Sequence, residues 1–477
     1  MAKKGFQAFT IDSVEIIDAA SDGRGVAKFE DKKIFVEKAV PGDIVELYVY
    51  EKAKRLFSAN LTKIISPSPL RVEARCKHFG LCGGCKWQMM SYEGQLSFKT
   101  KQVRDIFERI AKVEFGELLP ALPSPTPYYY RNKLEFSFGT RMYIAFEDVG
   151  KIDQNVPVLG FHGKGAFDKV LNVEECYLQL PIVAEILNAV RDFAIEKEIP
   201  FYNIREQVGF LREISFRSSV ATGELMVFLT VKEDNKEYLT LIFEFLEAKF
   251  PEIAHLLWII NPKSNTQISE LPFHVWKGKG FITEKLGGFS FSISPTSFFQ
   301  TNPRQAETLY GVAKDMLQKV LTEGQNKHKI VYDLYTGTGS IAIFVSDLAE
   351  KIVGIEYVES SIIDAKANAL RNNLTHLQFF AGDMAKVLTS DFILQHGKPN
   401  VIITDPPRNG MAPAVVKQIL EVLPEYVIYI SCHPATQARD ADMMREHYEV
   451  VTLQPVDMFP QTAHVENVAL FKLRVES

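Results

Sequence analysis

Cys432, in Ser431-Cys-His-Pro434, and Glu466, in His464-Val-Glu-Asn467, are residue types that can make and break a covalent bond to a substrate. A thiolate attacks and a carboxylate takes up a proton. Asp405-Pro-Pro-Arg408 adds a carboxylate on a loop that two prolines stiffen and strip of two backbone donors. Asp333-Leu-Tyr-Thr-Gly337-Thr-Gly339 is a glycine loop over which a ligand can approach the backbone closely. Glu356 stands where an acid can bind two ribose hydroxyls, and Gly382-Asp383 follows after another strand. Taken singly, each is ordinary: a structural turn, a small core cysteine, a solvated edge glutamate. What argues for a site is that all of them fall at the ends of successive expected strands.

Cys76, Cys82 and Cys85 lie close together, and Cys176 follows much later. Four thiolates suit tetrahedral zinc or a [4Fe–4S] cluster. Zinc sites more often show two paired CxxC knuckles, so three clustered cysteines plus a distant one suit the cubane better. Cys82-Gly-Gly-Cys85 also frees backbone amides to hydrogen-bond sulfur. The alternative is four separate buried thiols. Of five cysteines, a four-cysteine metal site leaves only Cys432 for catalysis.

The elements that must position these residues fall into three groups. Residues 1–66 read as short strands punctuated by Gly and Pro (Phe6 to Ile17, Val26 to Phe29, Lys33 to Val36, Asp43 to Tyr50, Phe57 to Ile65), which suggests a small OB-like barrel. Lys28, Lys32, Lys33, Lys52, Lys54 and Arg55 are scattered through it, either as a solvated face or as an RNA grip. Ser66-Pro-Ser-Pro69 reads as a linker. Residues 67–290 read as a central α+β region with the cysteine cluster, including a helical stretch from Tyr92 to about Lys112; the helical region near 92–124 is expected to pack with the catalytic domain. From 291 to 477 strand and helix alternate: Lys329 to Leu334, Lys351 to Glu356, Leu377 to Ala381, Asn400 to Thr404 and Tyr426 to Ile430 as strands, with helices Ser340 to Ala349 and Val358 to Asn373. That rhythm predicts a doubly wound, largely parallel sheet. Glu466 is expected just before a final strand, Val468 to Leu473.

The chain has 477 residues, room for several domains, with 46% hydrophobic and 24% charged residues. A mostly disordered chain is excluded. The net charge of -5 excludes a uniformly basic coat for nucleic acid but not a local basic groove. No apolar stretch follows the first lysines and no apolar run is long enough to cross a bilayer. A reducing cytoplasm is expected, without a membrane and without an obligate protein partner.

The glycine loop differs from the dinucleotide fingerprint and resembles the S-adenosylmethionine loop of class I methyltransferases, in which Gly382-Asp383 fits a contact to the adenine edge. Asp405-Pro-Pro resembles the motif of base-amino methyltransferases, but Arg408 replaces the stacking aromatic residue and argues for different chemistry. The whole set resembles the RNA 5-methyluridine methyltransferases: a TRAM-type barrel, the Cys76/Cys82/Cys85/Cys176 cluster, Ser294-Pro-Thr-Ser-Phe-Phe-Gln300-Thr-Asn302, Asp405-Pro-Pro-Arg408, Ser431-Cys432 and Glu466-Asn467. The resemblance implies that Gln300, Tyr335, Gly337, Glu356, Asp383 and Asp405 line the S-adenosylmethionine site, with Cys432 as nucleophile and Glu466 as base. It implies a [4Fe–4S] cluster on the four cysteines and an RNA partner, 23S ribosomal RNA by branch, with transfer RNA as the alternative. Ser340 stands where the family commonly has Asn, and Tyr130-Arg-Asn-Lys133 resembles a segment near the RNA.

Carbon 5 of uracil attacks a sulfonium methyl only after a nucleophile adds to carbon 6. A stacked base hides both atoms, so a loop uridine flipped into a crevice is the expected substrate. Two other functions compete. A catalytically silent RNA-binding factor would need neither Cys432 nor Glu466. A radical enzyme would need an open iron and a CxxxCxxC triplet, which the chain lacks.

Overall fold

The computed structural model describes residues 6–53, 56–268, 271–323 and 329–474. Lys54 and Arg55 of the basic set, and the first five residues, lie outside the described residues. The chain divides into two units. One runs through Pro127 and takes in Pro407–Gly410 and Ser431–Ala469; the other holds Tyr128–Pro406, Met411–Ile430 and the residues from Leu470 on.

The first unit opens with β1 (Phe9–Ala19), β2 (Gly25–Phe29), β3 (Lys32–Val36), β4 (Ile44–Ala53) and β5 (Leu56–Ser66), closed into a barrel in the order β1-β2-β3-β5-β4. The period of two in β4 turns Val45, Leu47 and Val49 inward onto Ile16, Ile34, Val36 and Phe57. Each such side chain contributes roughly 1.5–3 kcal/mol by leaving water. Lys28, Lys33 and Lys52 are exposed, whereas Lys32 lies over the Phe57 ring at 5.0 Å. The expected linker at Ser66–Pro69 is instead anchored. Ser68 donates its N–H to Asp43 Oδ1 (2.9 Å) and its hydroxyl to Pro41 O (2.7 Å), and Arg71 grips Asp43 through Nε and Nη2. A buried carboxylate needs such donors, and this stretch adds its own to the Val40 N–H, which donates to Asp43 Oδ2 at 2.7 Å.

α1 (Tyr92–Ile106) is capped by Ser91 Oγ, which accepts from Gly94 N. The helix expected to reach Lys112 changes to a π-helical turn over Phe107–Ala111 and stops at Lys112, whose φ of 51° is left-handed. β6 (Phe115–Leu118) follows.

The second unit begins with β7 (Lys133–Gly139), β8 (Val158–Gly163), β9 (Ala166–Asn172), α2 (Pro181–Glu196), β10 (Leu211–Ser218), β11 (Leu225–Val231), α3 (Lys236–Lys249), β12 (Ile253–Ile260) and β13 (Phe273–Lys277). The seven strands order as β13-β12-β11-β10-β7-β8-β9, with β11 and β12 parallel across α3. α2 and α3 bury Val183, Ile186, Leu187, Ile242, Phe243 and Leu246 in the same core as Phe136, Phe216 and Val227. A hairpin of β14 (Ile282–Leu286) and β15 (Phe289–Ile293) leads to α4 (Pro303–Glu323).

Next come β16 (Ile330–Leu334), α5 (Ser340–Phe344), β17 (Lys351–Glu356), α6 (Glu359–Arg371), β18 (Leu377–Ala381), α7 (Met384–Val387), α8 (Ser390–His396), β19 (Val401–Thr404), α9 (Pro413–Val422) and β20 (Tyr426–Ser431). The strands pair in parallel as β18-β17-β16-β19-β20, the expected doubly wound pattern. Their near-continuous Val/Ile runs suit strands buried on both faces. The helix expected over Ser340 to Ala349 ends at Phe344, with a separate 3-10 turn at Ser346–Leu348.

The first unit resumes with α10 (Pro434–Met444) and β21 (Tyr448–Val456), which pairs in parallel with β6. β22 (Glu466–Leu473) begins at Glu466 itself, two residues earlier than expected.

Candidate active site and cofactor loop

In the second unit β16 delivers Asp333 fully buried. Thr336 Oγ1 donates to its Oδ2 at 2.5 Å and the Ala342 N–H donates to the same oxygen at 3.2 Å, so the carboxyl folds the loop back onto α5. Tyr335, Gly337 and Gly339 have φ of 62°, 54° and 79°, a reversal that glycine adopts freely. A Cβ at Gly339 would stand 3.1 Å from both Ala365 and Phe379, so the loop packs tightly there. A Cβ at Gly337 would meet nothing within 4 Å. This is open room beside the backbone, and it fits a ligand lying on the loop.

Glu356, ending β17, closes one side of that room. Its Oε2 accepts the Gly337 N–H at 3.2 Å and its Oε1 the Val358 N–H at 2.9 Å. Both oxygens keep a second lone pair for hydroxyl donors. Gly382 N–H donates to Glu356 O (2.8 Å), and Asp383 accepts from Ala385 N at 3.1 Å. The ends of β17 and β18 are therefore tied together.

Gln300 sits on a loop held from the central sheet. Arg217, buried on β10, donates through Nε to Pro295 O at 3.2 Å and through Nη2 to Ser297 O at 2.5 Å. Asn132 donates its Nδ2 to Gln300 O (3.3 Å) and its N–H to Thr301 O (2.8 Å). The Tyr130–Lys133 segment thus supports the Gln300 loop. Sequence reasoning passed over Arg217; β10 also carries Arg212 and Glu213, so nothing local singled it out. It also missed Tyr310 on α4, whose hydroxyl is bonded to Ser340 Oγ and to the Gln300 side chain.

Asp405 follows β19, and its N–H donates to Leu334 O at 3.4 Å. Burial, then the neighbouring Asp333 carboxyl, pushes the Asp405 carboxyl well above the usual carboxylate range. Burial likewise pushes Asp333 up to about 7, against the Thr336 and Ala342 hydrogen bonds that favour its charge. Near neutral pH such a pair holds a proton and can donate it in a hydrogen bond.

The first unit carries Cys432 and Glu466. Cys432 follows β20 directly and precedes His433, the N-cap of α10. His433 N–H donates to Ser431 Oγ at 3.1 Å. Thr436 Oγ1 donates to Arg408 O (3.2 Å) and His433 O (2.9 Å), tying the arginine loop to the cysteine turn. Burial, then the Arg408 guanidinium, holds His433 below the usual imidazole range, so it is neutral at physiological pH. Glu466 is only 3% exposed. Beside it Asn467 donates Nδ2 to Gln437 Oε1 (2.8 Å), and its carbonyl accepts Gln437 Nε2 (3.2 Å). α10, which starts beside Cys432, therefore also anchors the chain beside Glu466.

The same unit carries Cys76, Cys82 and Cys85 on one turn-rich loop; Cys176 belongs to the other unit. Burial pushes the Cys82 thiol up, while the Gly84 N–H, which donates to its sulfur, and Lys86 favour its thiolate. Soft sulfur donors with an amide already donating to one of them fit a thiolate-bound centre. Among the described residues no three His, Cys, Asp or Glu side chains gather in an arrangement that could hold a metal ion. No helix among them is long and apolar enough to cross a membrane.

The sequence profile of the family tRNA (Uracil-5-)-methyltransferase matches residues 287–474. That of the tRNA (uracil(54)-C(5))-methyltransferase TRAM domain matches residues 13–70. An uncharacterized RNA methyltransferase of Bacteroides thetaiotaomicron is 47% identical over 461 residues, covering 95% of this chain and 100% of the relative. One from Porphyromonas gingivalis is 41% identical, covering 97% and 100%. The crystal structure of Pyrococcus abyssi tRNA (uracil-54, C5)-methyltransferase with S-adenosyl-L-homocysteine superimposes with a TM-score of 0.72 at 28% identity, covering 96% of this chain and 100% of that one.

Proposed function

This chain belongs to the S-adenosylmethionine-dependent RNA (uracil-C5)-methyltransferases, and we propose that it methylates a specific uridine of 23S ribosomal RNA through a covalent bond between Cys432 and carbon 6 of the ring. The observation that carries the mechanism is the placement of Cys432 directly after β20 and beside α10, whose own Gln437 is bonded to Asn467, the neighbour of Glu466.

The Cys432 thiolate adds to carbon 6, and the displaced electron pair gives an enolate with carbanion character at carbon 5. α10 starts two residues on, and the positive end of its dipole favours an anion there. Asp405, when it carries the proton of the buried Asp333–Asp405 pair, donates a hydrogen bond to a uracil carbonyl and stabilises the enolate. Bound S-adenosylmethionine supplies the methyl group as a sulfonium electrophile. Glu466 then removes the proton from carbon 5, and the electron pair re-forms the ring double bond as the carbon–sulfur bond to Cys432 breaks. Gln300, Tyr335, Gly337, Glu356 and Asp383 hold the cofactor, with Glu356 on the ribose hydroxyls.

The barrel of residues 1–66 and the central region 67–290 grip the RNA, and residues 291–477 carry the chemistry. Cys76, Cys82, Cys85 and Cys176 would be the thiolate ligands of a [4Fe–4S] cluster, whose role would be structural, since methyl transfer moves no net electron. The ribosomal assignment rests on the barrel and the full set of four cysteines. Transfer RNA is the second reading, favoured by the TRAM profile and by the Pyrococcus enzyme.

RNA carrying 5-fluorouridine tests the mechanism, because fluorine at carbon 5 cannot leave as a proton. Wild-type protein with S-adenosylmethionine is expected to form a protein–RNA band that survives denaturation, and Cys432→Ala to form none. A band that persists without Cys432 overturns the assignment.

A further inference from the structure

Five residues before Glu466, the chain passes through Gln461, whose φ of 69° is a left-handed conformation costly for a residue with a side chain. Such a conformation persists only where its surroundings over-determine it. Here they do. Gln461 donates its N–H to Gln95 Oε1 (2.9 Å), accepts Gln95 Nε2 at its own Oε1 (3.1 Å), and its carbonyl receives the N–H groups of Lys86 (2.9 Å) and Trp87 (3.0 Å). Gln95 is only 1% exposed, and its Nε2 also donates to Trp87 O and Met90 O.

One helical turn along α1, the fully buried Lys99 donates to Asp457 Oδ1 at 2.5 Å and to Phe459 O at 3.2 Å. Between these anchors and Glu466 the chain is locked by its own bonds. Thr462 donates to Phe459 O, and His464 N–H donates to Thr462 Oγ1. Thr462, Ala463, Val465 and Glu466 are each at most 5% exposed.

We infer that Gln95 and Lys99 of α1 are positioning residues that fix the 457–466 segment and so set the aim of the Glu466 carboxylate. The inference rests on the reading of Glu466 as the base. α1 is far from Glu466 in sequence, yet two of its side chains act on the segment that carries it. The geometry needed for proton removal is strict, and an ångström of drift can cost about 100-fold. The step affected is proton removal from carbon 5, not the addition of Cys432.

The test is single-turnover methylation of unmodified target RNA carrying tritium at carbon 5, with the full-length protein. Two rates are read: formation of a denaturation-resistant protein–RNA adduct, and release of tritium to water. For Gln95→Met we expect adduct formation within about threefold of wild type, tritium release slowed tenfold or more, and accumulation of methylated adduct. Gln461→Gly, which relieves the left-handed strain and removes the side-chain bond, is expected to melt within a few degrees of wild type and to show the same split. Glu466→Gln is run beside them. If Glu466→Gln accumulates adduct while both other variants slow the two rates equally or not at all, the positioning role is overturned and the base assignment stands. If Glu466→Gln itself releases tritium at the wild-type rate, the base assignment fails, and this inference with it.

Discussion

Lys99 Nζ stands 2.5 Å from Asp457 Oδ1, and neither side chain has any exposure to solvent. Burial pulls the Lys99 ammonium below its ordinary pKa, against the opposing pull of Asp457. Removing one partner leaves the other charge buried without its counter-ion. Lys99→Met is therefore expected to destabilise the protein by about 3–5 kcal/mol, whereas Lys99→Met with Asp457→Leu recovers most of that loss. Denaturant midpoints of the two variants check this.

Glu356 accepts hydrogen bonds on both carboxylate oxygens and faces the open side of the glycine loop at Gly337. In the proposed role, Glu356→Ala removes the charged acceptor of the ribose hydroxyls, a contribution of about 1.5–3 kcal/mol. S-adenosylhomocysteine is expected to bind about 100-fold more weakly, measured by calorimetry, while the melting temperature of the ligand-free protein changes little.

The parallel strands were legible residue by residue, because a buried strand is a short Val/Ile run that carries its own signal: Leu377–Ala381 and Lys351–Glu356 lie where the sequence put them. The five-stranded barrel was legible as a set of strands, though the first runs over Phe9–Ala19 and not Phe6 to Ile17. What could not be read was pairing across long separations. Nothing local in Phe115–Leu118 announces that it pairs with Tyr448–Val456. α4, 21 residues of amphipathic helix starting at Pro303, did carry a local signal and was overlooked. In the candidate site, the strand-end acids were visible because spacing betrays them. The props behind them, Arg217 and Gln95, were not, and Asn132 was marked only through the Tyr130–Lys133 segment and not as a prop of the Gln300 loop. A side chain that hydrogen-bonds a distant backbone carbonyl leaves no pattern in its own neighbourhood.

Asp333 is pushed up to about 7, from 3.8 in an unfolded chain. Between those values the folded protein holds a proton that the unfolded chain releases, so stability falls as pH rises through that window. The ligand-free protein is expected to lose melting temperature from pH 5 to 7.5 more steeply than Asp333→Asn does. Scanning calorimetry at fixed ionic strength reads the difference, and equal slopes contradict the shared-proton arrangement of Asp333 and Asp405.

Protein purified without oxygen is expected to carry about four irons and four sulfides per chain, the content of a single cubane. Cys82→Ala is expected to lose most of both. Stoichiometric zinc in their place assigns the four cysteines to a zinc site instead, and metal analysis with acid-labile sulfide determination distinguishes the two.

The most direct test of the central claim is nucleoside mass spectrometry of 23S ribosomal RNA and of transfer RNA, each lacking 5-methyluridine, after incubation with the protein and S-adenosylmethionine. The expected result is 5-methyluridine in 23S ribosomal RNA with the wild-type chain and none with Cys432→Ala. 5-Methyluridine in transfer RNA alone would move the substrate to the second reading, and its absence from both RNAs would contradict the account.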